Sequence, residues 1–171
     1  MSKSQPLSLW FVTKMIWVAI LLSVLFSYLT DRFLFGFDQQ EHKCIPGYTF
    51  YIVDKHDREP VQRGETFAFL SARMEPLYPD GATMIKVVAG LPGDDICVTE
   101  KQVLVNSDPI PDIDSLPLAR NMGLEPRDLA RALKLEPNFY WMMGRTSDSF
   151  DSRYWGPMHQ VQIVGRAYPI W

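Results

Sequence analysis

Two kinds of residue in this chain invite chemistry: a lysine set among branched apolar neighbours, and a pair of cysteines. Lys86 lies in Met84-Ile-Lys-Val-Val-Ala89, whose composition predicts a strand. Side chains alternate across a strand, so Lys86 either points to solvent or is buried with its neighbours. Burial disfavours a charged ammonium, and a desolvated lysine can act as a general base near neutral pH. The local pattern allows both readings. Cys44 and Cys97 are the two cysteines. In an oxidising compartment such a pair reads first as a disulfide. The alternatives are a nucleophilic thiol and a small buried hydrophobe. No C-x-x-C spacing supports a redox pair, and no ligand cluster calls for a metal or a cofactor.

The elements that must position these groups follow from the rest of the chain. The 171 residues allow one compact domain plus an anchor. At 47% hydrophobic and 22% charged the chain is not disordered, and a net charge of −3 leaves no basic footprint for nucleic acid. Leu7 to Thr30 carries a single charge, Lys14, and is long enough to cross the roughly 30 Å of a bilayer core. Bulky Phe26, Tyr28 and Leu29 stand where a cleavable leader needs small residues, so the expectation is an uncleaved anchor over 7–30 with residues 1–6 cytoplasmic. Lys3 and Lys14 precede Asp31, Asp38 and Glu41, so the positive-inside bias places everything after the anchor across the membrane.

Beyond a linker over 31–43, the pattern predicts short strands at Tyr48–Val53, Gly64–Leu70 and Met84–Ala89. A hairpin follows, Ile96–Val98 with Gln102–Val105 about Thr99-Glu-Lys101, and final strands fall at Phe139–Met143 and Gln160–Val164. Leu129, Ala132 and Leu133 have helical spacing, which predicts a helical insertion over 115–136. The class expected is mainly β, with a barrel-like body.

Three motifs in order carry a family resemblance. Ile85-Lys-Val-Val-Ala-Gly-Leu-Pro-Gly-Asp94 resembles the lysine-bearing motif of signal peptidase I, the peptidase S26 family. Ser149-Phe-Asp-Ser-Arg-Tyr-Trp-Gly156 resembles its late motif, and Arg63-Gly-Glu-Thr-Phe-Ala-Phe69 the strand between nucleophile and lysine. Cys44-Ile-Pro-Gly-Tyr48 is similar to the nucleophile region of TraF-type conjugative transfer peptidases, with cysteine where those relatives keep serine. Gly47 comes one residue early, and Gly144-Arg-Thr-Ser-Asp148 is one residue shorter than its counterpart in general signal peptidases.

The resemblance implies a signal-peptidase-like β-barrel catalytic domain over 44–171 and a nucleophile–lysine dyad: Cys44 as nucleophile, Lys86 as base, and Ser149 orienting Lys86. It also implies an Asp151–Arg153 ion pair supporting the site and an oxyanion contribution from His42, which otherwise reads as a surface histidine. Ser71, in Ser71-Ala-Arg-Met-Glu-Pro76, imitates the serine motif but follows the Gly64–Phe69 strand instead of preceding it. The implied substrate is a signal-peptide-bearing precursor, a propilin first among them, cut at the periplasmic face of the inner membrane. The partners expected are that precursor and the lipid bilayer. A catalytically silent assembly factor of a conjugation or secretion apparatus is the alternative.

Overall fold

The structure is a computed structural model that describes residues 8–38, 40–75 and 77–170. The expected cytoplasmic segment 1–6 and anchor residue 7 lie outside the described residues. Helix α1, Leu9–Arg32, buries none of its side chains. Its 24 residues span about 36 Å at 1.5 Å per residue, so it is long and apolar enough to cross a membrane. Lys14 sits in its second turn with Nζ 3.4 Å from the centroid of the Trp10 ring.

The chain passes from α1 into strand β1, Phe33–Phe37, with no intervening loop. β1 pairs antiparallel with β2, Phe50–Asp54, over five positions from Phe33↔Asp54 to Phe37↔Phe50. The linker expected over 31–43 is therefore the helix end, a strand, and the first half of a hairpin loop. The strand escaped notice because both faces of Phe-Leu-Phe-Gly-Phe are apolar and largely exposed, which hides any alternation.

The body continues through β3 (Thr66–Leu70), β4 (Thr83–Gly90), β5 (Asp95–Val98), β6 (Val103–Val105) and β7 (Asp108–Pro109). It ends with α2 (Pro126–Leu129), β8 (Arg131–Lys134), β9 (Phe139–Met143), α3 (Ser152–Trp155), β10 (Met158–His159) and β11 (Ile163–Pro169). One sheet runs β1-β2-β11-β3-β4-β9-β10 and the other β7-β6-β5-β8, with every pair antiparallel. The class is mainly β, as expected, and among the described residues no pairing joins β1 to β10. One core, with Ile96, Trp141 and Met143, lies against the smaller sheet. A second, with Phe67, Phe69, Val88 and Met142, lies under the larger.

Two expected elements differ. The insertion over 115–136 keeps only a 3₁₀ turn at Arg120–Met122 and the single turn α2, after which Arg131–Lys134 is a strand on β5. Leu129, Ala132 and Leu133 match a helical stripe, but Leu133 and buried Leu135 also alternate, and the open edge of β5 decides in favour of pairing. Gln160–Gln162 forms a 3₁₀ turn capped by the His159 side chain, so the last strand starts at Ile163 instead of Gln160.

Candidate active site

Cys44 lies in the loop joining β1 to β2. A backbone bond from Asp38 N–H to the Thr49 carbonyl, 2.9 Å, closes that loop at its base. Ile45, 4% exposed, anchors its middle, and Gly47 takes φ +90° to turn the chain back. The loop is also tied from outside: Arg145 N–H donates to the Cys44 carbonyl at 2.7 Å and Thr146 Oγ1 to the Lys43 carbonyl at 3.5 Å. The nucleophile candidate is thus held by the segment that follows β9.

Lys86 is on β4, on the same face as Met84 and Val88, and is 3% exposed. It belongs to the buried face of the strand, which resolves the ambiguity of the local pattern. Its Nζ donates to Ser149 Oγ at 2.9 Å. Ser149, 1% exposed, stands in the turn between β9 and α3. That turn is fixed by Arg153 and Asp151, both 0% exposed. The guanidinium grips the carboxylate in a fork, Nε to Oδ1 and Nη2 to Oδ2, each 2.8 Å. It also donates to the carbonyls of Asp114 at 2.6 Å and Ser149 at 2.9 Å. Asp151 in return accepts the Gly144 N–H at 3.0 Å. A buried charge pair is tolerable only when its remaining valences are filled in this way.

Cys44 and Lys86 line one cleft of about 530 Å³. β1 and Ile45 supply its apolar wall, while Gln40 and Tyr51 add polar groups. Burial, with the Asp38 carboxylate nearby, pushes the Tyr51 phenol up to about 12, so it is a neutral hydroxyl at physiological pH. The Cys44 thiol faces Gln40 Oε1 at 3.6 Å, and among the described residues no hydrogen bond joins it to Lys86. Among the described residues the Cys44 N–H has no protein acceptor. Among the described residues no cluster of three His, Cys, Asp or Glu could hold a metal.

The remaining candidates sit elsewhere. Both thiols are free; Cys97 is on β5, opposite Leu104 and Ala132. His42 has 82% of its side chain exposed and faces Asp148 at 3.8 Å, and it is not among the residues lining the cleft. Ser71 is 3% exposed and staples its own loop, donating to the Pro79 carbonyl at 2.6 Å and accepting the Ala82 N–H at 2.9 Å. Sequence reasoning missed Gln40 and Tyr51, and read Gly144 only as the start of a shortened motif. A Cβ on Gly144 would stand 2.2 Å from Ser149 Oγ and 2.9 Å from the Cys44 carbonyl; a glycine opening the turn before the serine motif was the available signal.

The family model of signal peptidase, peptidase S26, matches residues 9–171. The chain belongs to the peptidase S26 family. A signal peptidase I of Leptolyngbya laminosa is 32% identical over 122 residues, covering 68% of this chain and 56% of that protein. This S26 chain thus spans about half the length of that curated relative. A signal peptidase I crystal structure from Enterococcus faecalis V583 is 22% identical, covers 63% of this chain and 97% of its own, and superposes with a TM-score of 0.43.

Proposed function

We propose that this chain is a membrane-anchored endopeptidase that cuts an exported precursor beside the bilayer through a Cys44–Lys86 dyad. One observation supports it above the others. Lys86 is buried, held by Ser149 at 2.9 Å, and shares a cleft with a half-buried free thiol. Lys86 takes the thiol proton as sulfur attacks the scissile carbonyl. The oxyanion is met by backbone N–H groups including that of Cys44. Lys86 then gives the proton to the leaving amine, and a thioester remains on Cys44. The substrate enters extended, adding a strand beside β1, whose outer edge is unpaired among the described residues.

The subtype reading is narrower. The TraF-like Cys44-Ile-Pro-Gly-Tyr48 segment favours a propilin of a conjugation apparatus as the precursor, with the N-terminus cytoplasmic and the domain periplasmic at the inner membrane. Thioesters favour amines over water as acceptors more than oxygen esters do. Cysteine therefore biases the second step toward transfer to an amine, including the precursor's own N-terminus, which would close it into a ring one water lighter than the linear chain.

The test is processing of a co-expressed signal-peptide-bearing precursor. Cys44→Ala and Lys86→Ala are expected to abolish it, Cys44→Ser to retain part, and Ser71→Ala to leave it near native. Normal processing by Cys44→Ala or Lys86→Ala refutes the dyad. A second reading, an S26-fold assembly factor without catalysis, draws on the Cys44 thiol facing Gln40 instead of Lys86. It expects processing to be unaffected by either substitution.

A further inference from the structure

The joint between α1 and the body is built from several independent bonds. Arg32, the last helical residue, places Nη2 2.7 Å and Nε 3.1 Å from Asp54 Oδ2. Its other nitrogen, Nη1, donates to Tyr28 Oη one turn earlier at 2.8 Å. Lys55 N–H donates to the Arg32 carbonyl at 2.9 Å, and Lys55 Nζ to the Thr30 carbonyl at 3.1 Å. Carbonyls at a helix C-terminus lack partners of their own, and here the β2 turn supplies them.

Asp54 is well placed to be the fixed side of this joint. It is 6% exposed, and its backbone lies between Phe33 of β1 and Arg166 of β11. Gly165 makes the room: a Cβ there would come within 2.1 Å of the Asp54 carbonyl oxygen. The carboxylate also accepts the His56 N–H at 3.0 Å. The strand leaving the joint is itself a wall of the cleft, since Leu34 to Phe37 line it. Five residues of strand extend about 17 Å, so the cleft stands at a short, set distance from the end of the membrane helix.

We propose that Arg32 and Asp54 are positioning residues that fix the height of the cleft above the bilayer, and thereby select which bond of a membrane-inserted precursor reaches Cys44. This rests on the peptidase reading above. A precursor held by its own apolar helix starts from the bilayer surface, so only a bond at the matching distance arrives at the sulfur. A joint free to tilt presents the sulfur at several heights and cuts several bonds. An enzyme acting on short peptides has no such reference and is indifferent to the joint.

The experiment uses the full chain in vesicles of phosphatidylethanolamine and phosphatidylglycerol, with two probes. One is a synthetic precursor with an apolar helix of about 18 residues followed by an alanine-serine segment; the other is that segment alone. Product masses report the bond cut. The native chain is expected to cut the membrane probe at one bond. Arg32→Gln and Asp54→Asn are expected to cut the free segment at the native rate. On the membrane probe they should spread cleavage to neighbouring bonds, the native-bond share falling about fivefold, the scale of losing one partly exposed charge pair. Arg32→Lys should recover part of the selectivity. Native selectivity in both variants overturns the proposal. So does loss of cleavage on both probes, which would make the pair a support of the site itself. Failure of the native chain to cut either probe counts against the peptidase reading, and this inference falls with it.

Discussion

A methyl group on Gly144 would lie 2.2 Å from Ser149 Oγ and 2.4 Å from its Cβ. Something must move, and the flexible partner is the hydroxyl that holds Lys86. Gly144→Ala is therefore expected to cost about 1–3 kcal/mol of stability, the usual range for overpacking, and to lower activity beyond what that loss explains. Denaturant melts paired with single-turnover rates separate the two effects. Lys86 shows why residue identity alone could not settle the site. Alternation on β4 fixes which residues share its face, and Met84 and Val88 turned out to be buried. Whether that face is covered depends on elements far along the chain. Ser149 and Asp151 were legible because their types and spacing fit a resemblance. Gln40 and Tyr51 were not, since nothing in their local sequence distinguishes them from surface and core residues.

The turn from Gly144 to Asp151 and the turn from Leu91 to Asp94 carry the site's neighbouring elements, and each is pinned by a buried or half-buried carboxylate. Asp151→Asn leaves Arg153 buried without its counter-charge, a change expected to cost about 3–5 kcal/mol; thermal unfolding should show it directly. Asp94 behaves differently. Burial pulls its pKa up, but the Leu91 N–H, the Asn106 amide and Arg63 outweigh that and hold it below the usual carboxylate range. Asp57 is lowered too, by Arg166 and then Tyr168. For a lowered carboxyl the stabilisation is complete above about pH 4, where unfolded aspartates are ionised, and is lost as pH falls through the folded value. The Tm is therefore expected to be flat above that pH and to drop below it, and Asp94→Asn should flatten the drop. At this scale the paired strands β4, β5, β6 and β9 were visible in the sequence from branched and aromatic runs broken by turn residues. β1 and β8 were not. One lacks any polar face, and the other fits two periods until an unpaired edge of β5 chooses between them.

As a whole, the molecule brings the candidate site together from three distant segments: the β1–β2 loop with Cys44 and β4 with Lys86, which line the cleft, and the turn after β9 with Ser149, which holds Lys86 from behind. The Arg145–Cys44 backbone bond and the Lys86–Ser149 bond tie the first two to the third. The apolar helix α1 runs directly into β1, which lines the cleft, with no intervening loop. No sequence pattern carried that junction, because it depends on Asp54 meeting Arg32 across 22 residues. The most direct test of the dyad is to quench the full chain in acid during turnover of a membrane-inserted precursor and weigh its proteolytic peptides. The Cys44–Lys86 assignment predicts a hydroxylamine-sensitive acyl group on the peptide containing Cys44, absent in Lys86→Ala. An acyl group on the Ser71 peptide, or one on Cys44 that forms at the native rate in Lys86→Ala, would contradict it.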